Sequence, residues 1–225
     1  KHRKSLSLPA FPSLSSSAHS SPTSFSEPRE PLPFVELLAR SNFSFLQGAS
    51  HPEELVLRAK ILGLHGLAIC DVNGLYGVVR GYQAAEKPSL FDAEQLAFSN
   101  ADGSPKRPFR YLCGAELTPF DSSPVALIPM NKDGYSRLCR LITKAKRRAP
   151  KGHISLELND ILEANEDLLA FPLPPWEEAH LKRLQEAFQD RIYLPVCKDL
   201  TWESVRLYQQ ALAIERALGI PLFAT

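Results

Sequence analysis

The tightest constraint on the fold comes from residues 34–77, where two short apolar runs flank a capped amphipathic stretch. Residues 34–38 and 66–70 have the length and composition of strands. Between them Ser50 stands three residues before Glu53, the spacing of a capping box, with Pro52 tolerated in the first turn. Leu55, Ala59 and Leu62 share one helical face, and Gly63 marks the stop. Strand, helix, strand in this order makes a βαβ unit with parallel strands, which belongs in a sheet covered by helices.

The start of the chain has a different character. Lys1-His2-Arg3-Lys4 leads into a tract dense in Ser and Pro. Such a tract buries too little apolar surface to offset chain entropy, so a disordered basic leader is expected over 1–31, with one folded domain over 32–225. The leader lacks the continuous apolar core of a secretory signal. A chain of 225 residues supports one sizeable core. Its formal net charge of +1, from 26 basic and 25 acidic residues, selects no charged partner, so any anion binding has to be local. The four cysteines form no CxxC pair and no Cys/His cluster. Cys70, Cys113 and Cys197 lie in apolar runs, where buried free thiols are expected, as in a reducing cytoplasm. No apolar run reaches the length of a membrane span.

Further along, a helix is expected over 75–87 with Tyr76, Val79 and Tyr82 as its core face. Asp102-Gly103 is a turn signal able to close a hairpin. Strands are expected over 111–117 and 125–130, then a helix over 135–148 whose apolar stripe is Leu138, Leu141, Ile142 and Ala145. Its other side carries Arg137, Arg140, Lys144, Arg147 and Arg148, spaced by three and four. Arg140, Lys144, Arg147 and Arg148 are candidates to contact DNA phosphates or an acidic partner; the alternative is a solvated helix face, since stacking aromatics are absent from it. A helix over 158–164, a strand over 168–173 and a Pro-rich loop follow. A helix over 176–189 then buries Leu181, Leu184 and Phe188. After a strand over 191–197 comes a helix over 202–218 stopped by Gly219, then a final strand from Pro221. The alternation fits a parallel α/β barrel or sheet.

Several phrases carry a resemblance. They are Val35-Glu36-Leu37-Leu38-Ala39-Arg40-Ser41, Phe43-Ser44-Phe45-Leu46-Gln47-Gly48-Ala49, Pro52-Glu53-Glu54-Leu55, Leu67-Ala68-Ile69-Cys70-Asp71 and Leu75-Tyr76-Gly77. Gly114-Ala115-Glu116-Leu117, Asn131-Lys132-Asp133-Gly134-Tyr135 and Gly219-Ile220-Pro221-Leu222 continue it. In this order they resemble the PHP (polymerase and histidinol phosphatase) domain at the N-terminus of bacterial C-family DNA polymerases, the polymerase III alpha subunits. The wording of 41–56 is most similar to the error-prone branch. The resemblance implies an irregular seven-stranded (β/α) barrel, cut off here at its last strand, with 88–109 as an insertion. It also implies a cytoplasmic protein whose intact form extends DNA in replication or damage tolerance. This segment would be a platform for palm and thumb, in contact with DNA or with other replication or mutagenesis subunits, and with no membrane partner. The polymerase aspartates of that family lie beyond a domain of this length.

Active PHP domains resemble one another in holding two or three zinc, manganese or iron ions on His, Asp and Glu at the strand ends. Carried over position by position, the first HxH pair falls on Glu36 and Leu38, with Arg40 at the next site. The acid of the following turn is Gln47; Asp71 is kept, but the His after it is Val72. Glu116 is kept, and the His before the next strand is Pro124. The final Asp-x-His pair lies past residue 225. A degenerate site with no metal and no catalytic residue is therefore expected. Ordinary surface or capping roles are expected of His2, His19, His51, His65, His153 and His180. The alternative is a divergent phosphoesterase holding zinc or manganese on Glu36, Asp71 and Glu116. A third reading is a free-standing interaction module.

Overall fold

The computed structural model describes residues 34–86 and 109–225. The leader expected over 1–31, nearly all of the segment 88–109 and the hairpin expected within it lie outside the described residues.

The described residues form seven strands and six helices, and the first expected unit is present: β1 (Val35–Ala39), α1 (Pro52–Ile61) and β2 (Gly66–Val72), with β1 and β2 parallel. The helix is capped one residue later than the sequence spacing suggests. His51 is the N-cap, and its N–H donates to Glu54 Oε2 at 2.7 Å, so Glu54 rather than Glu53 closes the box. The one-residue slip turns the buried face onto Pro52, Val56 and Ala59, and Leu62 is exposed. Gly63 follows at φ 72°, a left-handed stop that suits glycine.

Next come α2 (Val78–Glu86), β3 (Arg110–Leu117), β4 (Val125–Pro129), α3 (Lys132–Arg147), α4 (Leu158–Glu163) and β5 (Leu168–Pro172). The last elements are α5 (Glu178–Phe188), β6 (Leu194–Val196), α6 (Trp202–Leu218) and β7 (Leu222–Ala224). Strands β1 to β5 form one sheet in sequence order. β3 is parallel to β2, whereas β4 is antiparallel to both β3 and β5. This corrects the all-parallel expectation. Residues 118–124 are too few for a crossover, and only a reversal fits so short a link. A parallel bridge between Ala170 and Ile192 leads from β5 to the parallel pair β6 and β7. The result is a mixed α/β fold.

Both faces of the sheet are covered, which explains the nearly continuous apolar strands. On one face of β2, Leu67 and Ile69 pack with Val56 and Ala59 of α1. On the other, Ala68 and Cys70 join Ala126, Ile128 and Phe171, and Leu38, Leu112, Tyr193 and Phe223 pack against them. The Phe171 ring lies 4.8 Å from that of Phe223 and 6.3 Å from that of Tyr193. Cys70 is buried as expected, and burial pushes its thiol pKa up. Cys113 is half-buried and Cys197 is exposed, because β6 ends at Val196. A larger cluster buries the α3 stripe with Leu181, Leu184 and Phe188 of α5, as their spacing indicated. Tyr76, Val79 and Tyr82, expected as core, are exposed. α2 instead turns Gly81 inward, so close to β3 that a Cβ there would lie 2.4 Å from the Tyr111 hydroxyl. No described helix is long and apolar enough to cross a membrane.

Candidate functional site

The candidate site is built at the C-terminal ends of β1, β2 and β3. Their parallel register pairs Asp71 with Ala115 and Val72 with Glu116, so the two acids occupy neighbouring strand ends. Both side chains are buried. A buried carboxylate needs compensation, and each finds a different kind.

Asp71 is held by neutral donors from the turn after β1. Its Oδ1 accepts from the Ser41 N–H at 2.9 Å, the Ser41 hydroxyl at 2.9 Å and the Ser44 hydroxyl at 2.8 Å. The Ser41 hydroxyl lies equally close to Oδ2, at 2.8 Å. The Ser44 Oγ in turn accepts the Val72 N–H at 3.0 Å, which locks the turn to the end of β2. Gly48 closes the same turn against the Ser41 carbonyl, where a Cβ would stand 2.1 Å from the oxygen. Glu116 is held by a cation instead: the Arg40 Nε donates to Glu116 Oε2 at 2.8 Å, and Nη2 donates to the same oxygen. Glu36 is half-buried, with Oε1 accepting the Leu38 N–H at 2.8 Å and the Thr225 hydroxyl.

Leu38, Val72 and Pro124 have no ligating side chain. Leu38 packs into the apolar cluster, Val72 ends its strand, and Gln47 is exposed in the turn. Pro124 contributes only its carbonyl, which accepts the Leu173 N–H at 2.8 Å. Among the described residues no three His, Cys, Asp or Glu side chains converge as metal ligands. The residues present do not fit a PHP-type metal cluster. Asp71 Oδ1 already accepts the Ser41 N–H and the Ser44 hydroxyl, and a guanidinium stands on Glu116 where cation would repel cation.

The basic face of α3 divides in two. Lys144 Nζ lies 2.8 Å from Asp160 Oδ1, and Arg148 Nη1 lies 2.6 Å from Asp160 Oδ2. Arg137 pairs with Glu166 at 2.6 Å. Burial of Asp160 acts to raise its pKa, but hydrogen bonds from Lys144, the Glu157 N–H and Arg148 outweigh it, and the net shift is downward. The hydrogen bond to Asp160 raises Lys144 correspondingly. Arg140 and Arg147 are exposed and form no ion pair with the described residues. A hollow of about 440 Å³ runs along this face, lined by Cys139, Arg140, Thr143, Lys144, Arg147 and Arg148. An aromatic does reach the helix from outside it: Lys146 Nζ lies 2.6 Å from the Tyr76 hydroxyl and 5.2 Å from its ring centre.

Sequence reasoning missed Ser41, Ser44 and Asp160. The serines left a signal in the Ser41-x-x-Ser44 spacing, which suits a hydroxyl cradle; Asp160 left none, since nothing local ties it to Lys144.

The family pattern described as PHP domain matches residues 36–215. The chain belongs to the PHP domain family. Among curated proteins it is 50% identical over 202 residues to an error-prone DNA polymerase of Bdellovibrio bacteriovorus, a match covering 88% of this chain and 18% of that protein. It is 33% identical over 198 residues to an error-prone DNA polymerase of Caulobacter vibrioides, covering 85% of this chain and 16% of that protein. The chain thus spans less than a fifth of the length of these curated relatives. Among solved structures it resembles a metal-dependent phosphoesterase from Bifidobacterium adolescentis, with a TM-score of 0.57 at 14% identity, covering 86% of this chain and 87% of that one. That likeness concerns the fold alone.

Proposed function

We propose that this chain is the PHP-type N-terminal part of an error-prone C-family DNA polymerase, and that it acts there as a non-catalytic platform for palm and thumb. The family match and the identity to error-prone polymerases support the parentage. The observation that carries the non-catalytic reading is the Arg40–Glu116 pair, which puts a fixed guanidinium on a retained acid of the family's metal site. A cytoplasmic, metal-free domain over 32–225 behind a disordered leader is part of this reading. So is closure of the strands into a seven-stranded barrel. The single cluster uniting Leu38, Leu112, Phe171 and Phe223 supports closure, as does the Thr225–Glu36 hydrogen bond from the end of β7 to β1. Arg140, Lys144, Arg147 and Arg148 remain the proposed contacts for DNA or another replication or mutagenesis subunit. Arg140 and Arg147 lead, because Lys144 and Arg148 already hold Asp160.

Two measurements test the proposal. Purified from metal-supplemented medium, the chain is expected to carry far less than one zinc, manganese or iron per molecule and to release no phosphate from nucleotides or phosphoesters. Metal-dependent release abolished by Glu116→Ala would establish the divergent phosphoesterase instead. An immunoblot of native cells with antibody to this domain is expected to show a band several times larger than 25.0 kDa.

A further inference from the structure

Six of the seven described strands run in one direction, with β4 reversed, so the turns after β1, β2, β3 and β6 leave on the same side. Each of these turns exposes large apolar side chains. After β1 stand Phe45 and Leu46, 83% and 89% exposed; after β2, Tyr76 at 51%; after β3, Phe120 at 70%; after β6, Leu200 and Trp202 at 92% and 86%. They surround the side of the sheet that ends in Arg40, Asp71 and Glu116.

Two of these residues are held out at a conformational cost. Non-glycine residues with positive φ are Leu46, Asn73, Asp167, Gln189 and Leu200 among the described residues. Asn and Asp tolerate that region through their short polar side chains, and Gln189 ends α5. Leu46 and Leu200, at φ 61° and 66°, have no such excuse, and both stay almost fully exposed, so no burial among the described residues offsets the strain. Nor is the turn carrying Leu46 slack: Asp71 pins Ser41 and Ser44 on either side of Phe43, and Gly48 abuts the Ser41 carbonyl. A rigid turn that presents a strained, solvated leucine fits a preformed contact with an apolar partner.

We infer that this end of the sheet, with Phe45, Leu46, Tyr76, Leu200 and Trp202 as its anchors, is a docking face for an apolar surface on a further domain of the same polypeptide. The inference rests on the polymerase reading above. Relatives more than five times longer than the matched segment supply the occupant, since this chain covers only 18% and 16% of them. The two strained anchors are leucines, which offer bases no flat ring to stack on, and this favours a protein over a nucleic acid as the occupant although Phe45, Tyr76 and Trp202 are aromatic. The end that in a metal-bearing relative would admit a phosphoester would thus have become an internal joint.

Hydrogen exchange compared between the 225-residue chain and the full native product tests the inference. Amides of residues 43–46 and 200–202 are expected to exchange at least tenfold more slowly in the longer product. Leu46→Asn combined with Leu200→Asn is expected to leave the melting temperature of the short chain unchanged or raised, because Asn accepts positive φ, while cancelling the protection in the long one. Equal exchange in both products, or protection that survives the double substitution, overturns the docking face. A concentration-dependent dimer of the short chain lost in the double variant would assign the face to a second copy and also overturn it. Protection of these turns by a thymidine oligonucleotide alone would do so in favour of single-stranded DNA. A native product near 25 kDa would remove the polymerase reading and the proposal together, whereas a large product with unprotected turns would remove only the proposal.

Discussion

Asp71 and Glu116 sit on neighbouring strand ends in the same buried setting, yet they are neutralised by opposite means. Asp71 relies on a backbone N–H and two hydroxyls, and Glu116 on one arginine. Removing one partner of a fully buried ion pair costs about 3–5 kcal/mol, because the other charge is stranded. Arg40 reaches solvent, so Arg40→Met is expected to lower unfolding free energy in urea by less, about 2–3 kcal/mol. Adding Glu116→Gln should restore more than half of the loss, and failure to do so would mean that Arg40 acts through packing alone. Asp160 makes a prediction in pH. Its folded pKa lies below the ordinary value of 3.8, so its contribution is complete above that value and disappears as pH falls through the folded pKa. Lys144, raised above 10.5, contributes fully below that value and loses its share as pH rises through its folded pKa. Asp160→Asn should therefore flatten both the acid and the alkaline limbs of a melting-temperature profile.

At the scale of the element, α3 shows how a start is specified twice. Asn131 caps it by accepting the Gly134 N–H at 2.9 Å, and its amide also donates to Asp167 at 2.9 Å. Gly134 lies so close to Asp167 that a Cβ would fall 2.1 Å from the carbonyl oxygen. Ala is the better helix former by about 1 kcal/mol, but overpacking against backbone costs about 1–3 kcal/mol. Gly134→Ala is therefore expected to destabilise the protein in urea, by up to about 2 kcal/mol net. Asn131→Ala should cost about 1 kcal/mol through the lost cap. A stabilised Gly134→Ala variant would show that the helix start is free to move away from Asp167. The one-residue slip of α1 belongs to the same scale. Ser50 and His51 compete for the cap, Glu53 and Glu54 for its return bond, and the choice falls to whichever register buries Val56 under β2.

Across the whole molecule, the basic face of α3 is shared between holding the fold together and remaining open to a ligand. Lys144 and Arg148 tie α3 to α4 through Asp160, while Arg140 and Arg147 face solvent. Charge reversal should separate the two roles. Arg140→Glu with Arg147→Glu is expected to leave the melting temperature nearly unchanged. If these residues meet DNA, the same double variant reduces the slope of log K against log salt by about 2. Lys144→Glu with Arg148→Glu is expected to lower the melting temperature whether or not DNA binds. Equal thermal loss from both pairs would contradict this division.

Residue order alone determined the elements and the family. Periods of two and of 3.6, the stops at Gly63 and Gly219 and the apolar stripes of α3 and α5 are local signals, set within a turn or two of the chain. Motif order likewise sets Leu38, Val72 and Pro124 where the family resemblance implies ligands, and those side chains need no coordinates to be read. Tertiary structure decided the rest. It reversed β4, because pairing direction depends on how a short link closes in space. It exposed Tyr76, Val79 and Tyr82, because the face a helix buries depends on what lies beneath it, here Tyr111 against Gly81. It also chose partners far apart in sequence, Arg40 with Glu116 and Asp71 with Ser41, because burying a charge is a property of the assembled interior and not of any segment.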